Sequence, residues 1–335
     1  MQAEIEYQVQ DLSRLDLSSS SSYFPPPSAP HPPASDCLFV GSGDSYIAGL
    51  AAQYFSGSQA ICCYPTDIIK NPSLVKRRNL FIVSISGNTK ANILAAKIAK
   101  KHGANTVAAV TARPSSRLAK SCDQTIELRY RNTGVNTAGT ISFTISMVKC
   151  ISLFTTLQMP TDLRKLYKRA EKQAERLMDK VIDRKSSSNN IANGSSSNGD
   201  NSSYFLLGDG QLYAIAKYGT LKFNEVFGAR ALAYPAEEFC HSPLFSLKEG
   251  DRAIVLGDGG DGSNNNRKLS KILNDEGFSS FYVEFKNTGA IELLLHTTFF
   301  IQLFVLKLAQ KYGLTDCHFL MNKKLLKMSS DFIYP

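Results

Sequence analysis

An alternation that runs twice restricts this chain more than any other feature. From Cys37 comes a short apolar run, CLFV, then small residues, GSGDS. YIAGLAAQYF follows, with apolar residues and alanines at helical spacing. The pattern returns as NLFIVSI, the loop Ser84–Thr89, and the helix KANILAAKIAKKHG with Gly103 at its end. NTVAAVTA, RPSSRLAKSCD and QTIEL add a strand, a helix start at Pro114 and one more strand. Strands alternating with helices of this length predict a parallel sheet covered on both faces. Thr140 to Leu157 reads as a long apolar helix packed on that sheet.

The alternation restarts after a low-complexity linker, SSSNNIANGSSSNGDNSS. YFLLGDGQLYAIAKYGTLKFNEVF gives strand, glycine-containing loop and helix. DRAIVLGDGGDG, NRKLSKILNDEG and FSSFYVEF continue it, and IELLLHTTFFIQLFVLKLAQKYG mirrors the closing helix of the first half. The chain is expected to be an internal duplication of two doubly wound α/β domains. Its 335 residues suit two domains of ordinary size. Residues 1–36 are expected to be a disordered leader, because the stretch SSSSSYFPPPSAPHPP cannot bury a core. The first domain is expected at 37–160, a charged helix and linker at 161–203, the second domain at 204–316 and a tail at 317–335. The charges of that helix, TDLRKLYKRAEKQAERLMDKVIDRK, read as a solvated face.

Composition removes several function classes. A net charge of +9 would suit nucleic acid, but the aromatics do not interleave with the basic residues as an RNA-binding surface requires. No nucleic-acid partner is expected. No run of about eighteen apolar residues occurs, so no membrane span is expected, and MQAEIEYQVQ lacks the pattern of a signal peptide. The seven cysteines are scattered, with Cys62 and Cys63 adjacent and no CxxC. Neither a zinc site nor a disulfide framework follows. A cytoplasmic protein without metal or cofactor is the expectation.

In parallel α/β sheets, ligands bind beyond the carboxyl ends of the strands. Ser84, Ser86 and Thr89 offer hydroxyls there, beside amides exposed by Gly87 at a helix N-terminus. That combination suits a phosphate monoester; the plainer reading is a polar turn capping a helix. Ser42 and Ser45 of GSGDSY would add to the same crevice. Tyr46 stands where a dinucleotide fingerprint needs its third glycine, and no P-loop motif is present. The matching loop of the second half carries Asp258 and Asp261, which would repel a phosphate. That half contributes something else. Lys222 and Glu225 lie three apart on one helix face, and His241 follows sixteen residues after Glu225.

With these residues in order, the chain resembles the SIS (sugar isomerase) domain family over residues 37–335, in particular the isomerase half of glucosamine-6-phosphate synthases. GSGDSY resembles the family's C-G-T-S-Y loop, and SISGNT its S-x-S-G-[EN]-T phosphate loop. RPSSRLAKSCD resembles P-x-S-x-L-x-x-x-x-D. NTGVNTAGTISFT is similar to the G-V-A-S-T-K loop, which implies that Asn136 and Thr137 touch the sugar. LKFNE resembles L-K-x-K-E, AEEFCHSP resembles A-E-x-x-x-H-G-P, and LLKMSS resembles the terminal L-A-K-S. The FNE run, the Glu-to-His spacing and SGNT are shared with bifunctional phosphoglucose/phosphomannose isomerases, whereas GDSY, Lys222 and HSP lean toward the amino-sugar branch.

The resemblance implies two tandem SIS domains, each a flavodoxin-like parallel sheet between helices. It implies a catalytic set of Glu225, His241 and Lys327, and a substrate-binding set of Ser42, Asp44, Ser45, Ser84, Ser86, Thr89, Asn136, Thr137 and Lys222. Glu225 would be the base that moves a proton between C1 and C2, and His241 would open the ring. Lys327 would stabilise an enediolate or form a Schiff base. In the family the histidine comes from the partner subunit, so a homodimer is implied. The chain departs from the synthases at Ile85 and at Ala138-Gly139, and starting MQAE it is expected to lack their N-terminal cysteine and glutaminase domain. The first expectation is therefore a metal-independent isomerase of a hexose 6-phosphate such as fructose 6-phosphate. The alternatives are a glucosamine-6-phosphate deaminase or its ammonia-dependent reverse, and a sugar-phosphate sensing module without catalysis.

Overall fold

A computed structural model of the chain describes residues 1–15, 17, 33–187, 202–286 and 289–335. The chain divides into two compact units. An N-terminal unit comprises residues 6–159 and 322–335, and a C-terminal unit comprises residues 1–5 and 160–321. The final helix therefore belongs with the first half of the sequence, not with the second domain it follows.

The N-terminal unit holds a parallel five-stranded sheet of order β2-β1-β3-β4-β5. The strands are β1 (Cys37–Val40), β2 (Ile61–Cys63), β3 (Asn79–Val83), β4 (Thr106–Thr111) and β5 (Gln124–Glu127). Register is set by pairs such as Val40 with Ile82 and Ile82 with Ala109. Every residue of β1 and β3 is buried, as a sheet covered on both faces demands. Side chains alternate across the pleat. Leu38, Val40, Leu80 and Ile82 pack with Ala95, Ala96 and Ala99 on one face. On the other, Phe39 and Phe81 stack at 5.4 Å. Each fully enclosed phenylalanine contributes up to about 3 kcal/mol.

The connecting helices are α2 (Asp44–Phe55), α3 (Pro65–Lys70), α4 (Lys90–Lys101), α5 (Arg117–Ser121) and α6 (Ile141–Ser152), with α6 packed on α2. The expectation of a disordered leader over 1–36 is corrected at its start. Residues Gln2–Ser13 form a helix, α1, because Ile5, Gln8 and Leu12 fall on one stripe and are at most 1% exposed. The serine- and proline-rich remainder, at 16 and 18–32, lies outside the described residues.

The C-terminal unit begins at α7 (Leu163–Ser187). This helix carries an apolar face opposite its charges. Leu163, Leu166, Ala170, Ala174, Leu177 and Val181 form a buried stripe along it that packs against α11 (Ala290–Lys311). Residues 188–201 of the low-complexity linker lie outside the described residues. Beyond it come β6 (Tyr204–Leu207), α8 (Gln211–Phe227), β7 (Ala231–Tyr234), α9 (Ala236–His241), β8 (Arg252–Gly257), α10 (Asp261–Asp275) and β9 (Ser279–Glu284). They build a parallel sheet of order β7-β6-β8-β9, which repeats the order of the first four strands of the N-terminal sheet. No fifth strand joins it among the described residues.

α11 is long and apolar enough to cross a membrane, contrary to the sequence reading. Its apolar surface is instead enclosed by α7 and α8, with Leu294 to Val305 buried throughout. α12 (His318–Met321) closes this unit, and α13 (Lys323–Ile333) rejoins the N-terminal one.

Candidate functional site

In the N-terminal sheet the chain leaves β1 toward β2 on one side, while β3 lies on the other. The loops after β1 and β3 therefore diverge above the carboxyl edge, the position where such sheets bind ligands. A cavity of about 340 Å³ opens there. It is lined by Ser42 and Ser45 after β1, by Ser84, Ser86 and Thr89 after β3, and by Arg113 after β4. Tyr130, Asn132 and the penultimate residue, Tyr334, complete it.

The β3–α4 loop is held by a glycine no other residue can replace. Gly87 has φ +62°, and a Cβ there would stand 2.1 Å from Ser116 Oγ. Its carbonyl accepts from Leu118 N at 2.9 Å, which ties the loop to α5. Ser84 Oγ accepts from Gly87 N at 3.2 Å and Ser86 Oγ accepts from Asn88 N at 3.3 Å. Each hydroxyl thus spends a lone pair on the backbone and keeps its proton to donate. Thr89 stands at the N-cap of α4 yet makes no side-chain cap hydrogen bond, so its hydroxyl is not spent on the helix. The plainer capping reading of this loop does not describe it. The twelve-residue α4 adds the positive end of its dipole.

Arg113 brings a full positive charge to the same rim. Among the described residues no carboxylate pairs with it. Sequence reasoning passed over Arg113, although it follows β4 almost directly and the rule that singled out Ser84 applies to it equally. Tyr130 and Asn132, shortly after β5, carried the same signal. Tyr334 carried none, because only the return of α13 to this unit brings it here. That return is fastened where Lys90 Nζ donates to Asp331 O at 3.0 Å.

Several expected residues stand apart from this cavity. Asp44 occupies the first turn of α2, and a Cβ on Gly139 would meet its Oδ2 at 2.3 Å. Its carboxylate faces the loop before α6 and not the hydroxyls, where it would oppose an anion. Asn136 is exposed and Thr137 half-buried on that loop, and neither lines the cavity; the asparagine found there is Asn132. Lys327 is exposed on α13 and is likewise not part of the lining.

The C-terminal unit has a counterpart cavity of about 700 Å³ beyond β6 and β8, lined by Asp209, Asp258 and glycines. Asp209 accepts from Ala236 N at 3.0 Å and from Asn266 Nδ2 at 2.9 Å. Carboxylates occupy this rim where hydroxyls and Arg113 occupy the other. The two halves share a topology but not a chemistry.

On α8 of this unit Lys222 Nζ donates to Glu225 Oε2 at 2.6 Å, and the ammonium lies 5.0 Å from the centre of the Tyr218 ring. Lys222 is 0% exposed, whereas the Glu225 side chain is 33% exposed. Lys222, expected to contact substrate, is enclosed in this structure and meets Glu225 and Tyr218. The helix ends one turn later at Gly228, whose φ of +64° and packing against the His318 ring leave no space for a Cβ. His241 is the last residue of α9 and is exposed. Among the described residues no group of three His, Cys, Asp or Glu side chains is placed to hold a metal ion.

Comparison with known proteins bears on both units. Residues 33–156 match the SIS domain family. The chain is 26% identical over 263 residues to the glutamine–fructose-6-phosphate aminotransferase [isomerizing] of Caldanaerobacter subterraneus subsp. tengcongensis, a match covering 76% of this chain and 43% of that protein. It thus spans less than half the length of that relative. The C-terminal domain of glucosamine-fructose-6-phosphate aminotransferase from Francisella tularensis superposes with a TM-score of 0.65 at 19% identity, covering 92% of this chain and 95% of the other. Tagatose-6-phosphate ketose/aldose isomerase from Escherichia coli gives a TM-score of 0.68 at 16% identity, covering 94% and 93%. At such identities the likeness is one of fold.

Proposed function

We propose, from the SIS domain at residues 33–156, that this protein is a phosphosugar isomerase interconverting a ketose 6-phosphate and an aldose 6-phosphate of the fructose 6-phosphate type. The observation that carries this reading is the convergence of five hydroxyl side chains, Ser42, Ser45, Ser84, Ser86 and Thr89, with Arg113 in one cavity. Hydroxyl protons, a helix N-terminus and a guanidinium match the three oxygens of a phosphate monoester. The C-terminal unit is read as a second, diverged SIS domain that has exchanged this chemistry for Glu225 and His241.

Aldose–ketose isomerisation needs one base that removes a proton from C1 or C2 and returns it to the neighbouring carbon through a cis-enediol. Glu225 is assigned that role. Its support is the LKFNE motif and the enclosed Lys222, whose ammonium donates to the carboxylate at 2.6 Å and fixes its direction. His241 is assigned to opening the sugar ring, by protonating the ring oxygen and taking the proton of the anomeric hydroxyl. It is assigned from a partner subunit of a homodimer, a reading supported by its exposure at the end of α9. Lys327 is assigned to the developing enediolate oxygen or to a Schiff base with the open-chain ketose. The seven cysteines are unpaired, which fits a cytoplasmic setting.

Amino-sugar chemistry is the second reading. It is supported by the aminotransferase relative, by Lys222 and by the HSP sequence after Cys240. Incubation with fructose 6-phosphate, with and without ammonium, separates the two. Glucose or mannose 6-phosphate formed without ammonium supports isomerisation. Product formed only with ammonium supports the amino-sugar reading. Binding measured by calorimetry without turnover sinks both and leaves a sensing module.

A further inference from the structure

Tyr130 and Asn132 line the phosphate cavity, yet the residue between them does not. That residue is Arg131. Its side chain and backbone are both taken by α1. Arg131 Nε donates to Asp11 Oδ1 at 2.7 Å and Arg131 N donates to Asp11 Oδ2 at 2.8 Å. Its Nη2 donates to Tyr7 O at 3.1 Å, and its guanidinium carbon lies 4.2 Å from the centre of the Tyr7 ring. The Asp11 side chain is only 8% exposed. A largely buried carboxylate held by two hydrogen bonds, one of them charge-assisted, is a stiff joint.

The joint has a rigid anchor. Gln8, one turn before Asp11, is fully buried and hydrogen-bonded to Thr144 of α6, and Leu12 is enclosed beside it. α1 therefore cannot shift without disturbing α6. Tyr130 also lines a second cavity, of about 680 Å³, together with Asp11, Arg14 and Arg131.

We propose that Arg131 is a positioning residue for the phosphate cavity: gripped by Asp11 and Tyr7 of α1, it fixes the wall formed by Tyr130 and Asn132. This rests on the reading of the cavity as a sugar-phosphate site, and the N-terminal helix becomes part of the site's framework. A conventional account would make the ion pair a fastener for α1 alone. The two differ in what happens to Tyr130 when the pair is weakened without unfolding the helix.

Asp11→Asn does this, since it keeps an acceptor for Arg131 N while removing the charge. The full-length protein is labelled with fluorotyrosine, and the Tyr130 signal is assigned by its loss in Tyr130→Phe. The Asp11→Asn and Arg131→Lys variants should shift or broaden that signal, and should raise KM for fructose 6-phosphate about tenfold with kcat changed less than twofold. Asp11→Glu, which retains the charge, should recover most of the KM. Circular dichroism and thermal melting establish that the variants remain folded. A Tyr130 signal unmoved in Asp11→Asn overturns the proposal, as does a KM that moves equally in Asp11→Glu and Asp11→Asn. If the wild-type protein neither binds nor converts fructose 6-phosphate, the functional reading fails. The fluorine signal then still decides whether α1 sets the cavity wall.

Discussion

Lys222 is wholly enclosed and gives its ammonium to Glu225 at 2.6 Å, while the Glu225 carboxylate stays one-third open to solvent. The pair is asymmetric, and the asymmetry makes a prediction about stability. Removing Glu225 as Ala leaves a buried cation without its carboxylate, at a cost of about 3–5 kcal/mol. Lys222→Met leaves a carboxylate that water can reach, and should cost less than about 2 kcal/mol. Urea unfolding of both variants reads the difference. Equal costs would show that the pair is an ordinary surface contact. Lys222→Met should also lower kcat about a hundredfold by freeing the direction of Glu225.

The phosphate-binding role proposed for the N-terminal cavity predicts a graded loss of affinity. Arg113→Gln removes the only full positive charge on the lining and should weaken fructose 6-phosphate binding about tenfold to a hundredfold. Thr89→Val keeps shape and helix start but removes one donor, so its effect should be smaller, about threefold to tenfold. Asp44→Asn, facing Gly139, should change binding less than either. Calorimetric titration orders the three, and a strong effect at Asp44 would relocate the site.

Acid stability should depend on His296 in the C-terminal unit. Burial against Phe285 is the main reason its pKa falls to about 4, helped by Arg169 and opposed by Glu292. In the unfolded chain a histidine titrates near 6.5. Between these values the unfolded chain takes up a proton that the folded chain refuses. Stability is therefore intact above about pH 6.5 and falls as the pH drops toward 4, by at most about 3 kcal/mol from this residue. His296→Leu should flatten that part of the profile in denaturant titrations from pH 7 to 4.5. A slope equal to that of the wild type would remove His296 from the account.

Thiol chemistry should be confined to one position. Burial pushes Cys37, Cys63 and Cys122 up to about 12 and raises Cys62 and Cys150 as well. Of the seven, Cys240 is the one that is exposed. Burial and Glu237 raise its pKa too, so iodoacetamide at neutral pH should label it slowly and the others hardly at all. Cys240→Ser should leave the native protein nearly unlabelled, with the remaining thiols reacting in urea. Mass spectrometry of the alkylated protein checks both.

Much of the architecture was legible in the residues themselves. Runs such as CLFV and NLFIV are too short and too uniformly apolar for anything but strands buried on both faces. The loops after them end where small residues begin. Ser42, Ser45, Ser84, Ser86 and Thr89 were found from that rule, and they share one cavity. α1 was hidden because its stripe of Ile5, Gln8 and Leu12 includes a glutamine. A polar residue satisfied by Thr144 cannot be told from an exposed one by pattern alone. In α7 the pattern of charges on one side and Leu163, Leu166, Leu177 and Val181 on the other marks an amphipathic helix, but not the α11 it packs against.

The sequence by itself determined the alternation of elements, the strand-end loops and their hydroxyl chemistry, since these follow from periodicity and from which residues suit a turn. Only the tertiary structure decided that Lys222 is enclosed beneath Glu225, that Asp44 turns toward Gly139, and that Tyr334 returns to the rim of the cavity beyond β1 and β3. Each of these depends on contacts between segments far apart in the chain. Local spacing fixes which face of its own element a residue takes. What that face meets is settled only when the elements pack.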